Sequence, residues 1–90
     1  MTRSEILNAA SEIVCNREND YGAPEDTFAC IADLWQAYLG TGQKITPNDV
    51  AMMMILLKVA RASMGKFKPD TLIDIAGYAA CAGELEEWVE

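Results

Sequence analysis

The chain contains no histidine. That removes Ser-His-Asp and Cys-His nucleophilic machinery and nearly every zinc site built from nitrogen and sulfur ligands, so any metal must be a hard cation on oxygens. Cysteine is scarce too: Cys15, Cys30 and Cys81 are odd in number and far apart. They make neither a disulfide framework nor a CxxC metal or redox pair, which fits a reducing cytoplasm. Positive charge is in short supply, with seven Lys and Arg against fourteen Asp and Glu, a formal charge of −7. Such a field repels a phosphate backbone, so duplex nucleic acid is not expected as a partner. A small nucleotide is still admissible, because one cluster of cations or a carboxylate-held metal can receive a phosphate. The longest apolar run, Val50 to Leu57, falls far short of the ~20 residues that span a bilayer. With Glu5 and Asn8 near its start, the chain does not open as a secretory leader. A soluble protein without membrane association is expected.

What is present suits one folded domain, residues 1–90, since 51% of the residues are hydrophobic and only 23% charged, which excludes a disordered polar chain. The punctuation is helical. Thr2 and Glu5 form a capping box ahead of Ile6, Ala10, Ile13 and Val14, and Pro24 opens a stripe of Phe28, Ile31, Ala32, Trp35 and Leu39 that Gly40 and Gly42 stop. Thr46 as cap, Pro47 at the first position and Asp49 in the first turn mark a third start, with Ile45 placed to staple against Val50. Asp70 or Thr71 caps a fourth. No stretch sustains period-two alternation. The fold class expected is therefore all-α, a compact four-helix bundle with helices near residues 3–18, 24–39, 47–64 and 71–88. The third helix, apolar almost all round, is expected to be central and most buried. A single short bundle scarcely covers every side of such a helix, so a homo-oligomer, in the first instance a dimer, is expected as well. The triple Met52 to Met54 is assigned to core or subunit contacts.

Certain charges sit in apolar company. Lys58 and Arg61 interrupt the third helix three residues apart and share a face with Met54. Asp70, Asp74 and Tyr78 follow one another at intervals of four on the fourth helix, and Cys81, Leu85 and Trp88 continue that stripe. Asp74 reads either as a ligand or as the partner of Thr71 in a capping box, and Asp70 either as a ligand or as the helix cap itself. Arg17 ends the apolar stripe of the first helix, beside an expected turn at Asp20-Tyr21-Gly22. Ala76, Gly77, Ala79, Ala80, Ala82 and Gly83 permit close approach of another helix or of a ligand. The acids Glu84, Glu86, Glu87 and Glu90 read as a solvated face.

Arg17, Asp20-Tyr21-Gly22, the Phe28 to Trp35 helix ending in Tyr38-Leu39-Gly40, Asp49-Val50, Lys58-x-x-Arg61 and Asp74-Ile75-Ala76-Gly77-Tyr78 together resemble a phage and prophage family of small helical proteins without an assigned activity. The Asp-Tyr-Gly turn, the Lys-x-x-Arg pair and the Asp-x-x-x-Tyr helix are also similar to nucleotide-modification-associated phage proteins and, more distantly, to MazG-like all-α nucleoside triphosphate pyrophosphohydrolases. Those hydrolases hold Mg²⁺ on a Glu-x-x-Glu helix and a later Glu-x-x-Asp helix. Here Asp74 falls on the final aspartate of the second motif, with Thr71 three residues before it. The resemblance implies a MazG-like bundle, a host-cell cytoplasmic setting and a small nucleotide or nucleotide signal as ligand. Lys58 and Arg61 would take phosphate oxygens, Tyr21 or Trp35 would stack on the base, Arg17 and Tyr78 would complete the pocket, and Asp74 with Asp70 would hold Mg²⁺. Activity as a Mg²⁺-dependent pyrophosphohydrolase is the enzymatic form of this expectation. Two alternatives stand beside it: a non-catalytic binding protein, either a nucleotide-signal sponge or an inhibitor of a host protein, and a structural oligomer whose Arg17, Lys58, Arg61, Asp70 and Asp74 form one ionic network.

Overall fold

A computed structural model describes residues 1–85. Every regular element among them is a helix: α1 Arg3–Tyr21, α2 Pro24–Leu39, α3 Pro47–Met64 and α4 Pro69–Leu85. The expected extension of the last helix to Trp88, and Glu86, Glu87 and Glu90 of the expected acidic face, lie outside the described residues. No described helix is long and apolar enough to cross a membrane.

The helix starts are set by local chemistry. Thr2 accepts from the Glu5 backbone N–H while the Glu5 carboxylate accepts from that of Thr2, and Thr46 and Asp49 repeat the arrangement at α3. Each box satisfies two donors that a helix N-terminus would otherwise leave without a partner. These bonds hold the Glu5 carboxyl below its usual range. Pro24 and Pro47 occupy first-turn positions where no N–H is needed. Gly40 ends α2 in the left-handed region, with φ 62° and ψ 18°, and its N–H donates to the Gln36 carbonyl. Ile45 N–H then donates to Gln36 Oε1 at 2.9 Å, which folds the α2–α3 connection back onto α2.

Two boundaries differ from the sequence reading. Asp20 and Tyr21 are the last residues of α1, not a turn; the chain breaks only at Gly22, whose N–H donates to the Glu18 carbonyl. Nothing before that glycine obstructs helical backbone, and Thr27 Oγ1 donates to the freed Tyr21 carbonyl at 3.2 Å. At the other end, α4 begins at Pro69, so Asp70 lies in the first helical turn, where it favours the positive end of the helix dipole.

The centre is α4, not α3. Helix α4 packs against both α1 and α3, and α2 is carried on α3. It buries Ile73, Cys81 and Ala82, whereas α3 buries only Val50 and Ala51 near its start. Small residues let α4 be approached from two sides: a Cβ on Gly77 would sit 3.4 Å from Val14 Cγ2 of α1. Between α3 and α4 the register is antiparallel, fixed by Asn48 Nδ2 donating to the Ala82 carbonyl at 3.1 Å and by the Lys58–Asp74 ion pair. With a radius of gyration of 14.1 Å, against about 12 Å for a tightly packed domain of this length, the arrangement is more open than the compact bundle expected.

Two substitutions test this account by urea unfolding. Thr46→Ala removes a capping box and should cost about 1 kcal/mol. Gly77→Ala should stabilise by about 0.5–1 kcal/mol, because the new methyl makes ordinary contact with Val14 and the helix loses an entropic defect.

Candidate functional site

Where α1, α2 and α4 diverge they leave a cavity of about 170 Å³. Its walls are apolar, with Ala10 and Val14 from α1, Phe28 and Ile31 from α2, and Ile73 and Cys81 from α4. Gly77 keeps the α4 wall low. The Phe28 and Tyr78 rings face each other across α2 and α4, with centroids 6.2 Å apart and planes tilted by 32°. Arg17, Glu18, Tyr21 and Asp74 bring polarity to the lining. Among the described residues Arg17 is the only cation on the lining, and its exposed position at the end of the apolar stripe of α1 leaves its guanidinium accessible to an anion.

The sequence-expected site residues divide into three groups. Arg17, Tyr21, Asp74 and Tyr78 line this cleft. Lys58 adjoins it through Asp74, whose Oδ2 lies 2.9 Å from Lys58 Nζ; the two side chains are 15% and 26% exposed, so the pair is shielded but not sealed. Arg61 belongs elsewhere, to a shallow basic depression at the α3–α4 turn with Lys66, Lys68 and Thr71. Asp70 is exposed in the first turn of α4, and Trp35 is half-buried on α2; neither lines the cleft. The spacing of three between Lys58 and Arg61 puts the two on one side of α3, yet the ion pair takes up the first while the end of the helix carries the second outward.

Glu18, Thr27, Phe28 and Cys81 also line the cleft and were not singled out by the sequence. The signal for two of them was the stripe itself: Phe28 heads the apolar face of α2, and Cys81 follows Asp74 and Tyr78 along α4. Burial pushes the Cys81 thiol above the ordinary thiol range, and the nearby carboxylates Glu84, Glu25 and Glu18 add to the shift. Cys81 is therefore an apolar wall residue and not an activated nucleophile.

Mg²⁺ bound in the MazG manner needs several converging carboxylates. No group of three or more carboxylate or thiol ligands converges among the described residues. Asp74 is matched by Lys58, and Asp70 stands apart from the cleft. The residues present do not fit a protein-held magnesium centre of that kind.

Residues 5–86 match the family described as a domain of unknown function, DUF6378, and the chain belongs to that family. It is 45% identical to the Gene 55 protein of Mycobacterium phage L5 over 82 residues, covering 90% of this chain and 52% of that protein. It is 37% identical to the Gene 55 protein of Mycobacterium phage D29 over 87 residues, covering 97% of this chain and 56% of that protein. The chain thus spans about half the length of the phage relatives it matches. No solved structure matches it.

The ion pair gives a stability prediction. Asp74→Asn leaves Lys58 largely enclosed and uncompensated; the residual exposure sets the loss at about 1–3 kcal/mol, between the values for surface and fully buried pairs. Replacing both partners with apolar residues, Lys58→Met with Asp74→Leu, should recover most of that loss in a double-mutant cycle. The cleft wall gives another. Cys81 should alkylate more slowly than the exposed Cys15 and Cys30. Because the folded state holds a thiol proton that the unfolded state releases earlier, stability should fall as pH rises past the ordinary thiol value, and Cys81→Ala should remove that part of the slope.

Proposed function

We propose that this phage-type protein is a nucleotide-binding module that holds its ligand in the α1–α2–α4 cleft without cleaving it. The observation that carries the reading is the pairing of an apolar, aromatic-walled cavity with one accessible cation, Arg17, on its lining. A cavity of about 170 Å³ is smaller than the roughly 300–1,000 Å³ that encloses a drug-sized ligand. It suits a base or similar flat ring inserted beside Phe28 and Tyr78, with sugar and phosphate left outside. Arg17 then meets the phosphate as a charge-assisted hydrogen-bond donor, and Tyr21, exposed at the α1–α2 corner, covers the ring. The resemblance of the Asp-Tyr-Gly and Asp-x-x-x-Tyr segments to nucleotide-modification-associated proteins supports the same ligand class.

Binding without hydrolysis follows from the donor set. Phosphoryl transfer between bound phosphates relies on metal ions or clustered cations around the reacting group. This cleft offers one arginine, the already neutralised Asp74 and a single further carboxylate, Glu18. Sequestration of a nucleotide or nucleotide signal is the activity those groups support, and Mg²⁺ enters this reading only if it arrives on the ligand's own phosphates.

Thermal unfolding with nucleosides and with nucleoside mono-, di- and triphosphates, with and without Mg²⁺, tests the proposal. A true ligand at one hundred times its Kd stabilises by about 2.7 kcal/mol, which for a domain of this size raises Tm by roughly 10–20 °C. Arg17→Ala should abolish the preference for phosphorylated over unphosphorylated ligands, and Tyr78→Ala should weaken both. The nucleotide should be recovered intact by chromatography. A melting temperature that ignores the whole panel defeats the proposal.

A further inference from the structure

We propose that the outer face of α3 is the interface of a two-fold homodimer in which the α3 helices of two copies pack antiparallel. Met52, Met53, Leu56, Leu57, Val59 and Met64 are all exposed, Leu56 at 65% and Met64 at 90%. At 100° per residue these positions, with Ala60 and Ser63 between them, span about 160° of the helix surface. Between Met52 and Met64 no charged residue falls within that sector, in a chain whose net charge is −7; its one charge is Asp49, in the first turn of the helix. Acidic side chains recur along α1, α2 and α4, whereas α3 carries only Asp49, so this face is where two copies meet with least repulsion.

Surface area points to the same occupant. The accessible surface is 6727 Å², whereas folded monomers of 9.9 kDa average about 5,200 Å². The excess is larger than the roughly 800 Å² per partner that a stable complex buries. Charge fixes the direction of packing. At the N-terminal end of the same face stands the exposed Asp49, and Arg61, at the edge of that face, with Lys66 and Lys68 just past the helix end, makes the opposite end basic. Antiparallel helices crossing near Leu56 bring Asp49, about 10 Å to one side, against the partner's basic end. Parallel packing would instead oppose Asp49 to its own copy and the cations to theirs. The periodicity agrees, since Met52, Leu56, Val59 and Ser63 recur at alternating steps of four and three, the seam of a short two-helix contact.

Sedimentation equilibrium at micromolar concentration is expected to give twice the chain mass, and Leu56→Glu, at an already exposed position, to give a monomer of unchanged helicity. Direction is read by disulfide capture in a Cys15→Ser, Cys30→Ser background. Leu56→Cys, close to the two-fold axis, should cross-link readily on mild oxidation. Met64→Cys should not, because antiparallel copies hold those positions roughly 24 Å apart along the axis. A wild-type chain that stays monomeric across the micromolar range, a Leu56→Glu chain that remains dimeric, or equal cross-linking at both positions overturns the proposal. None of these measurements depends on the cleft or on its ligand.

Discussion

The antiparallel seating of α4 on α3 is the constraint on which the other contacts depend. It is fixed at two points about two to three turns apart along each helix: Asn48 to the Ala82 carbonyl at one end and Lys58 to Asp74 at the other. Near the first of these points α3 buries Val50 and Ala51 and α4 buries Ala82. Apolar burial supplies the attraction, but it is non-directional and would tolerate a slide of one turn. The hydrogen bond and the ion pair remove that freedom, because a shift of either helix would leave partly shielded polar groups without their partners.

Once that pair is set, the cleft follows from how the remaining helices are hung. Helix α1 rests on α4 beside Gly77, with Val14 the nearest side chain across the contact. Helix α2 is held chiefly by α3 and by the Gln36 bond to Ile45. The corner between α1 and α2 is a single glycine turn braced by Thr27, so the two helices leave α4 along different paths. The cavity opens in the angle between them. Its apolar walls are therefore the unburied remainder of the core stripes, and its polar lining is the set of residues where those stripes end: Arg17 and Tyr21 on α1 and Asp74 on α4.

The helix starts and stops were legible because they are local events. Thr2 with Glu5, Thr46 with Asp49, and Gly40 act within four residues of the boundary they mark, and each does what its chemistry requires. The end of α1 was read too early because polarity near Asp20 resembles a turn although no residue there breaks a helix. The rank of α3 was misjudged for a different reason: hydrophobicity all round a helix reports what must be hidden, not which partner hides it. Within one chain α4 needs only small residues to be central, and Ala82 and Gly77 fill that role with little hydrophobic volume. Of the residues singled out, Asp74 and Tyr78 share a face of α4 as their spacing of four implied, whereas Arg17 and Tyr21 line the same cleft through the packing of α1 on α4, which no spacing states. Lys58 and Arg61 were separated by a tertiary contact that no spacing rule contains.

The charge pattern decides how such a cleft can bind an anion. Across the protein the acidic excess raises the energy of an approaching phosphate, so long-range steering works against a nucleotide. One arginine at the rim offsets this only at contact distance. Lys58, which could have doubled the positive charge, is taken up by Asp74, and Arg61, Lys66 and Lys68 sit at the α3–α4 turn. Under the proposed reading, the favourable free energy would come from burying a ring against Phe28, Tyr78 and the aliphatic walls, a term that salt does not screen. A pocket working this way discriminates by the shape of the base more than by the number of phosphates. It gains at most one good contact from the first phosphate and meets rising repulsion from each that follows.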